Sequence, residues 1–211
     1  MRAVIIGNGE IGDASRYAGL VQSEDMVICA DGGAANAEAM GIHPHVLIGD
    51  LDSFRGSRIR PEDVEVSIHP MSKDATDLEL AIDYALEQGA DEIVVLGAVG
   101  ARLDQTLANV GLLSKPTLEQ VPTKLLGPDW EAFLIWSEGT LEGEPGEVVS
   151  LIPMTPEVAG ISTEGLEYPL RRGRLHAGYT VGISNTLTAP QARIEIKTGI
   201  LLVVHLRGAP A

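Results

Sequence analysis

Short apolar runs that end in glycine or aspartate alternate with segments of helical pattern through the first part of the chain. The runs occupy residues 3–6, 27–30, 46–48 and 93–96, and the segments between and after them predict helices over 14–22, 34–40, 76–88 and 103–113. The runs show no polar alternation, which is typical of strands buried on both faces of a parallel sheet. We therefore expect an α/β fold with a parallel, doubly wound, Rossmann-like sheet in a domain that spans residues 1–125.

The pattern changes after residue 125. Strands are predicted over 130–136, 147–151, 179–183, 192–197 and 200–206, separated by turns rich in Gly, Pro and Ser, and no helical period remains. Short strands joined by such turns favour a small antiparallel sandwich or barrel. We expect this second domain to span residues 126–211.

Charge and cysteine content exclude several classes of protein. The net charge of −15 repels nucleic acid and anionic membranes, so neither is expected as a partner. No apolar run approaches the ~18 residues that span a bilayer, and the N-terminal run meets Gly and Asn too early for a secretory signal. Cys29 is the only cysteine. No internal disulfide is therefore possible, and we expect a buried structural thiol and a reducing, cytoplasmic location.

Residues 7–12, Gly-Asn-Gly-Glu-Ile-Gly, satisfy the GxGxxG pattern directly after a predicted strand. Together with Asp31 at the end of the next strand, the pattern resembles the dinucleotide fingerprint of nicotinamide and flavin enzymes. We favour a glycine turn instead, because residues 13–17 make a poor apolar face for the required helix. The fingerprint also leaves the later carboxylates unexplained.

Four acidic segments lie where a parallel sheet places its chemistry, at the carboxyl ends of strands. They are Ala-Asp-Gly-Gly-Ala at 30–34, Gly-Asp-Leu-Asp-Ser at 49–53, Lys-Asp-Ala-Thr-Asp at 73–77 and a segment over 97–105 that ends in Arg-Leu-Asp-Gln. Any one of them could be a turn or a helix cap, with Asp74 or Thr76 as the N-cap. Four converging acidic segments, however, repel each other unless a cation lies among them.

An oxygen-only set of ligands without a Cys/His cluster suits Mg²⁺, which completes its octahedron with water and phosphate oxygens. Lys73 and Arg102 are the basic residues within the four segments, and each could pair with phosphate or with a neighbouring aspartate. The sequence has no GxxxxGK[ST] and no protein-kinase motif set. The pattern therefore predicts a magnesium-dependent enzyme that acts on a nucleotide phosphate and holds it without a P-loop.

These four segments, in this order, resemble the catalytic domain of the thiamine pyrophosphokinase family. The later Gly-Leu-Glu-Tyr-Pro-Leu at 165–170 and Gly-Ile-Ser-Asn at 182–185 resemble that family's thiamine-binding domain. The resemblance implies an α/β domain followed by a β-sandwich, a homodimer with active sites at the subunit interface, and transfer of pyrophosphate from ATP to thiamine, giving AMP and thiamine diphosphate.

The resemblance also implies roles for individual residues. The catalytic set is Asp50, Asp52, Asp77 and Asp104, of which Asp50, Asp52 and Asp77 would bind Mg²⁺. The site for ATP and pyrophosphate would contain Asp31, Gly32, Lys73, Asp74, Thr76, Arg102 and Gln105. The thiamine site would contain Tyr168, Ser184 and Asn185. Tyr168 stands where many relatives carry Trp, and it keeps an aromatic face for the thiazolium cation.

Several alternatives stay open at this point. The chain could be a related Mg²⁺-dependent pyrophosphokinase or nucleotide-phosphate transferase with another acceptor, or a non-catalytic regulator that binds Mg²⁺ and a nucleotide. Spacing does not separate a metal ligand from a general base, so either Asp77 or Asp104 could take the proton of the thiamine hydroxyl. The five histidines are scattered and are expected to be structural or exposed.

Overall fold

The computed structural model describes residues 1–17, 19–49, 59, 64–68 and 75–210. The chain divides into two compact units, residues 1–128 and 129–211. Four residues predicted for the site, Asp50, Asp52, Lys73 and Asp74, lie outside the described residues.

A parallel sheet forms the centre of the first unit. Its strands are β1 (Arg2–Ile6), β2 (Met26–Ala30), β3 (Val46–Gly49), β4 (Glu65–Ile68), β5 (Glu92–Leu96) and β6 (Thr123–Leu126). They lie in the order β6-β5-β1-β2-β3-β4, and every neighbouring pair is parallel. The predicted α/β class and parallel sheet are therefore confirmed. The strand order changes direction between β1 and β5, and such a switch point opens a crevice at the carboxyl ends of the two strands.

Within the described part of this unit, three α-helices accompany the sheet: α1 (Gly33–Ala39), α2 (Asp77–Glu87) and α3 (Leu103–Leu112). The helix α2 buries Leu78, Ala81, Ile82 and Ala85, which recur at helical spacing, whereas Leu86 of the same predicted stripe is only partly buried. By contrast, α3 has no buried residue, and its Leu103 and Leu107 are exposed.

The predicted helix over 14–22 is wrong, because a single 3-10 turn over Ala14–Tyr17 stands there. Tyr17 is the one buried residue of that turn. Gly19 follows with a positive φ of 79°, a conformation that does not continue a helix.

Cys29 of β2 is fully buried in the core beneath the sheet's helices, as expected for a structural thiol. Burial raises the pKa of the Cys29 thiol to about 12, because the thiolate is poorly solvated in an apolar environment. At neutral pH the residue is therefore an apolar side chain and not a nucleophile.

The second unit consists of antiparallel strands: β7 (Trp130–Ile135), β8 (Glu138–Glu142), β9 (Glu147–Pro153), β10 (Glu157–Glu164), β11 (Gly173–His176), β12 (Asn185–Thr186), β13 (Gln191–Glu195) and β14 (Leu201–Pro210). One set pairs in the order β12-β9-β14-β7 and the other in the order β11-β10-β13-β8. Residues of both sets share one buried core. The prediction that the later part of the chain forms antiparallel strands is confirmed.

The strand predicted over 179–183 is wrong. Tyr179, Val181 and Ile183 alternate as in a strand, yet all three are exposed and the segment is a loop. Gly178 and Gly182 have positive φ values of 87° and 107°, which interrupt the extended conformation that a strand requires.

His205 of β14 is fully buried between two carboxylates. Its Nδ1 lies 3.3 Å from Oε1 of Glu131, and its Nε2 lies 2.8 Å from Oε2 of Glu147. Arg207 pairs with Glu131 at 2.8 Å. Burial opposes ionisation of Glu147, but two backbone N–H groups and His205 outweigh it and hold the pKa of Glu147 below its ordinary value. The cluster ties β14 to β7 and β9.

Among the described residues, the longest and most apolar helices fall short of what a membrane crossing requires.

Candidate functional site

A cleft of about 1170 Å³ lies at the switch point of the parallel sheet. Its floor is formed by the loops that follow β1 and β5. These loops continue the pairing of the two strands, since the N–H groups of Gly7, Gly9 and Glu10 donate to carbonyls of the β5 side at 2.8, 2.8 and 2.7 Å. The site therefore rests on backbone hydrogen bonds between two chain segments that are far apart in sequence.

Six of the residues that the sequence predicted for the site line this cleft: Asp31, Thr76, Asp77, Arg102, Asp104 and Gln105. They come from three of the four acidic segments, and the fourth, at 49–53, lies outside the described residues except for Gly49. Gly32 is adjacent to the lining: a Cβ on it would lie 2.5 Å from Oδ1 of Asn8. These six residues therefore lie together at the carboxyl edge of the parallel sheet.

Asp31 has an unusual backbone conformation at the end of β2. Its φ is +52°, a left-handed value that aspartate tolerates better than most residues. Its N–H donates to the carbonyl of Ile48 at 2.9 Å, and Oδ2 accepts a long hydrogen bond of 3.4 Å from Nδ2 of Asn8. Backbone pairing with β3 therefore presents the Asp31 carboxylate at the cleft.

The start of α2 supplies two more lining residues. Thr76 is the N-cap, and its Oγ1 accepts a hydrogen bond from the N–H of Glu79 at 3.2 Å. Asp77 follows in the first turn, where the helix dipole favours negative charge. Its Oδ2 lies 3.4 Å from the position that a Cβ would take on Gly49, so the carboxylate is next to the end of β3.

Arg102 and Asp104 form a bidentate ion pair at the start of α3. Nε and Nη2 of Arg102 donate to the two carboxylate oxygens of Asp104 at 2.9 and 2.5 Å. Both side chains are largely exposed, at 67% and 65%. The Arg102 guanidinium lowers the pKa of Asp104 to about 2, because it stabilises the ionised carboxylate. An incoming phosphate would compete with Asp104 for this guanidinium.

Two residues of α3 that sequence reasoning missed hold the loop after β5. Nδ2 of Asn109 donates to the carbonyl of Ala98 at 2.7 Å, and Oγ1 of Thr106 accepts from the N–H of Gly100 at 3.3 Å. Asn109 lies four residues after Gln105, so a search for polar residues at helical spacing along α3 would have found it.

The predicted magnesium ligands are only partly described. Among the described residues, no three His, Cys, Asp or Glu side chains form a group that could hold a metal ion. Of the three predicted ligands, Asp77 is described, and Asp50 and Asp52 are not. The roles assigned to these aspartates stay predictions.

The predicted thiamine residues lie together in the second unit. The Asn185 side chain binds the backbone of Tyr168 in both directions: Oδ1 accepts from the Tyr168 N–H at 3.0 Å, and Nδ2 donates to the Tyr168 carbonyl at 2.9 Å. Tyr168 is 66% exposed, whereas Asn185 is buried. Ser184, with a positive φ of 58°, places its N–H on Oγ of Ser150 at 3.1 Å. Asn185 therefore fixes the backbone that presents the Tyr168 ring.

The GxGxxG segment lacks the features of a dinucleotide site. No α-helix begins at the segment, because only the 3-10 turn over Ala14–Tyr17 follows it. The N–H groups of Gly7, Gly9 and Glu10, which such a site directs at a pyrophosphate, already donate to Leu96, Gly97 and Val99. These observations agree with the choice of a glycine turn.

Comparison with known proteins gives consistent matches along most of the chain. Residues 17–125 match the family described as thiamin pyrophosphokinase, catalytic domain, and residues 140–201 match thiamin pyrophosphokinase, vitamin B1 binding domain. The thiamine pyrophosphokinase of Bacillus subtilis is 29% identical over 193 residues, which cover 89% of this chain and 90% of that protein.

Solved structures give the same result. A crystal structure of thiamine pyrophosphokinase from Bacillus subtilis superposes with a TM-score of 0.88 at 26% identity, covering 99% of this chain and 100% of that one. A thiamin pyrophosphokinase from Geobacillus thermodenitrificans superposes with a TM-score of 0.85 at 26% identity, covering 99% of both chains.

Proposed function

The chain belongs to the thiamin pyrophosphokinase family, and from this premise we propose that it transfers pyrophosphate from Mg²⁺-bound ATP to the hydroxyl group of thiamine. The products are thiamine diphosphate and AMP. The observation that carries the proposal is the convergence of Asp31, Asp77, Arg102 and Asp104 on one cleft at the switch point of the sheet, which is where open α/β sheets bind ligands.

The carboxylates of this cleft fit a magnesium site. The Asp77 carboxylate lies next to Gly49, and Asp50 and Asp52 follow Gly49 directly in the sequence. Asp50, Asp52 and Asp77 would hold the ion, since carboxylate oxygens are the protein ligands that Mg²⁺ prefers. An ion held by these carboxylates would supply positive charge next to the phosphate oxygens.

The remaining lining residues would hold ATP and the pyrophosphate group. Arg102 supplies a guanidinium that can turn from Asp104 to a phosphate, and Thr76 retains its hydroxyl proton as a donor because its oxygen is the acceptor in the N-cap. The described residues Gln105, Asp31 and Gly32 would also belong to the ATP and pyrophosphate site. Lys73 and Asp74 are assigned to the same site from the sequence alone.

The reaction forms a bond between the thiamine hydroxyl oxygen and the β-phosphorus of ATP, and it breaks the bond from that phosphorus to the oxygen bridging to the α-phosphorus. AMP leaves with the electron pair, and the hydroxyl proton passes to a carboxylate. Arg102 holds the pKa of Asp104 at about 2 while the two side chains are paired, and a phosphate that draws Arg102 away would release this carboxylate. Asp77 and Asp104 are therefore the two candidates to accept the proton.

The thiamine site belongs to the second unit. Tyr168 offers an exposed aromatic face for a thiazolium cation, and Asn185 holds the backbone behind that face. Ser184 completes the predicted set. An acidic protein also attracts a cationic substrate, which agrees with the net charge of −15.

We further propose that the enzyme is a cytoplasmic homodimer built from a Rossmann-like domain and a β-sandwich. Leu103 and Leu107 on α3 are 68% and 63% exposed, and Tyr179 and Val181 are 72% and 66% exposed. Leu103 and Leu107 stand four residues apart on α3 and so share one face of that helix. An exposed apolar face is typical of interfaces, and a second copy of the chain is the partner that the family resemblance implies.

The test is a chromatographic assay of the protein with ATP, Mg²⁺ and thiamine. Equal amounts of AMP and thiamine diphosphate, abolished by EDTA, support the proposal. AMP without thiamine diphosphate would point to another acceptor, and Mg²⁺-ATP binding without any AMP would point to a non-catalytic regulator.

The proposed role of Asp77 as a Mg²⁺ ligand is tested with a matched control substitution. Asp77→Asn should abolish turnover at ordinary Mg²⁺ concentration, whereas Asp91→Asn, at an exposed carboxylate beyond α2 that pairs with the N-terminus, should leave turnover unchanged. Near-normal turnover by Asp77→Asn would remove Asp77 from the reaction.

A further inference from the structure

Asn36 makes two hydrogen bonds to the floor of the cleft from outside the residues assigned to the site. It lies in α1, and its Nδ2 donates to the carbonyl of Gly7 at 2.8 Å and to the carbonyl of Gly9 at 2.9 Å. One carboxamide thus uses both of its N–H donors on two carbonyls of the same loop.

The loop after β1 needs the Asn36 side chain as a hydrogen-bond donor. The N–H groups of Gly7, Gly9 and Glu10 donate to carbonyls of the β5 side. In the part of the chain that the structure describes, however, no backbone N–H donates to the carbonyls of Gly7 and Gly9, because β1 has ended. Gly7 is buried, and a buried carbonyl without a donor is strongly disfavoured. Asn36 supplies the donors that the sheet no longer supplies.

Close glycine contacts bring α1 within reach of the loop. A Cβ on Gly33, at the start of α1, would lie 1.9 Å from the carbonyl oxygen of Ile6, and a Cβ on Gly97 would lie 2.5 Å from the carbonyl oxygen of Gly7. Only glycine permits these approaches. Asn36 follows Gly33 by three residues, about one helical turn, and so reaches the carbonyls just beyond Ile6.

We propose that Asn36 is a positioning residue for the nucleotide: it fixes the Gly7–Gly9 loop and, through that loop, the Asn8 side chain beside Asp31. Asn8 is exposed to the cleft, and its carboxamide lies against Gly32 as well as 3.4 Å from the Asp31 carboxylate. The GxGxxG segment, which the reaction itself leaves without a role, is thereby the rigid floor of the site. The inference rests on the proposed function, since it takes the cleft ligand to be Mg²⁺-ATP.

Two variants test the role of Asn36. Asn36→Ala removes both donors while raising the helix propensity of α1. Asn36→Asp keeps the shape but places a carboxylate, which has no donor, against two carbonyl oxygens. Ala39→Asn is the matched control, because it puts the same carboxamide at an exposed position of the same helix.

The measurements are hydrogen exchange of backbone amides, equilibrium binding of Mg²⁺-ATP without thiamine, and steady-state kinetics. For Asn36→Ala we expect faster exchange in residues 7–10 with unchanged protection of β2, and ATP affinity weaker by about fivefold to thirtyfold, as for the loss of one or two hydrogen bonds. The affinity of the Asn36→Asp protein for Mg²⁺-ATP should be weaker still. The KM for thiamine should stay within about twofold, and Ala39→Asn should match the wild type.

Unchanged exchange over residues 7–10, or ATP affinity within twofold of the wild type in both variants, would overturn the inference. Faster exchange throughout the first unit would also overturn it, because Asn36 would then serve general stability. The proposed function is tested separately: a wild-type chain that binds Mg²⁺-ATP without making thiamine diphosphate changes the acceptor and leaves the role of Asn36 in place. A wild-type chain that binds no Mg²⁺-ATP overturns both.

Discussion

Gly33→Ala should destabilise the first unit, although alanine is the better helix former. A Cβ on Gly33 would lie 1.9 Å from the carbonyl oxygen of Ile6 and 2.7 Å from the carbonyl carbon. Cβ atoms essentially never approach within 3.0 Å of another atom, so α1 and β1 would have to separate by about 1 Å in a close-packed interior. Both partners are backbone, and no side-chain rotation relieves the contact.

The expected magnitude combines three terms. Overpacking of this kind costs about 1–3 kcal/mol. The displaced helix also loses part of the two Asn36 hydrogen bonds, each of which contributes about 0.5–1.5 kcal/mol. The gain in helix propensity returns about 0.5–1 kcal/mol. We expect a net loss of about 1–4 kcal/mol, which corresponds to a fall of about 2–15 °C in Tm for a chain of this size.

The assay is thermal and urea denaturation followed by far-UV circular dichroism, with Gly111→Ala as the control. Gly111 is also helical, in α3, but a Cβ there would meet no atom within 4 Å. The same substitution should therefore stabilise by about 0.5–1 kcal/mol. A Gly33→Ala protein as stable as the wild type, or a Gly111→Ala protein that falls equally far, would refute the steric argument.

Three further predictions follow from buried groups. His205→Leu should destabilise the second unit by about 2–4 kcal/mol, because the buried Glu131 and the partly buried Glu147 each lose a hydrogen bond to the imidazole. The midpoints of denaturation should show this loss, and a shift no larger than that of the exposed His176→Leu would contradict it. Arg2 lowers the pKa of Asp25 in the folded protein. The Arg2–Asp25 ion pair therefore contributes its full stabilisation above the pKa of about 3.9 that aspartate has in the unfolded chain, and this contribution is lost as the pH falls through the lower pKa of the folded protein. Asp25→Asn should therefore flatten the loss of stability below about pH 4, and an unchanged slope in acid denaturation would argue against this. Cys29, with its pKa raised to about 12, should react with a thiol reagent at neutral pH only after unfolding, and fast reaction of the native protein would show that the thiol is accessible.

The sequence was most informative where one local pattern decides the structure. The apolar runs of β1, β2, β3 and β5 are buried on both faces, and their uninterrupted pattern predicted them. In contrast, β4 reads Glu-Val-Ser-Ile and β8 reads Glu-Gly-Thr-Leu-Glu, so neither stands out from a loop. The segment 179–183 shows the opposite failure, since apolar alternation is present but glycine conformations prevent a strand.

The candidate site likewise contains residues that a local sequence pattern predicts and residues that only the folded structure identifies. The position of Asp31, Asp77 and Asp104 at one cleft could be predicted, because the carboxyl ends of parallel strands lie at the same edge of a sheet; their roles stay predictions. Asn36 was not, because its role depends on which carbonyls the loop leaves unpaired after the strands end. His205 was expected to be structural or exposed, but its burial between two glutamates depends on pairing among three strands that are distant in sequence.

The position of β5 beside β1 also bears on how the protein is made. The amides of Gly7, Gly9 and Glu10 pair with carbonyls of residues 96–99, so a nascent chain has no partner for its first loop until β5 has left the ribosome. Strands β1 to β4 can assemble earlier, whereas the cleft floor must close a loop of about 90 residues, a slow non-local step. The cleft floor therefore cannot form before residues 96–99 have been synthesised, and a chain arrested before residue 96 would hold part of the sheet without a closed cleft floor.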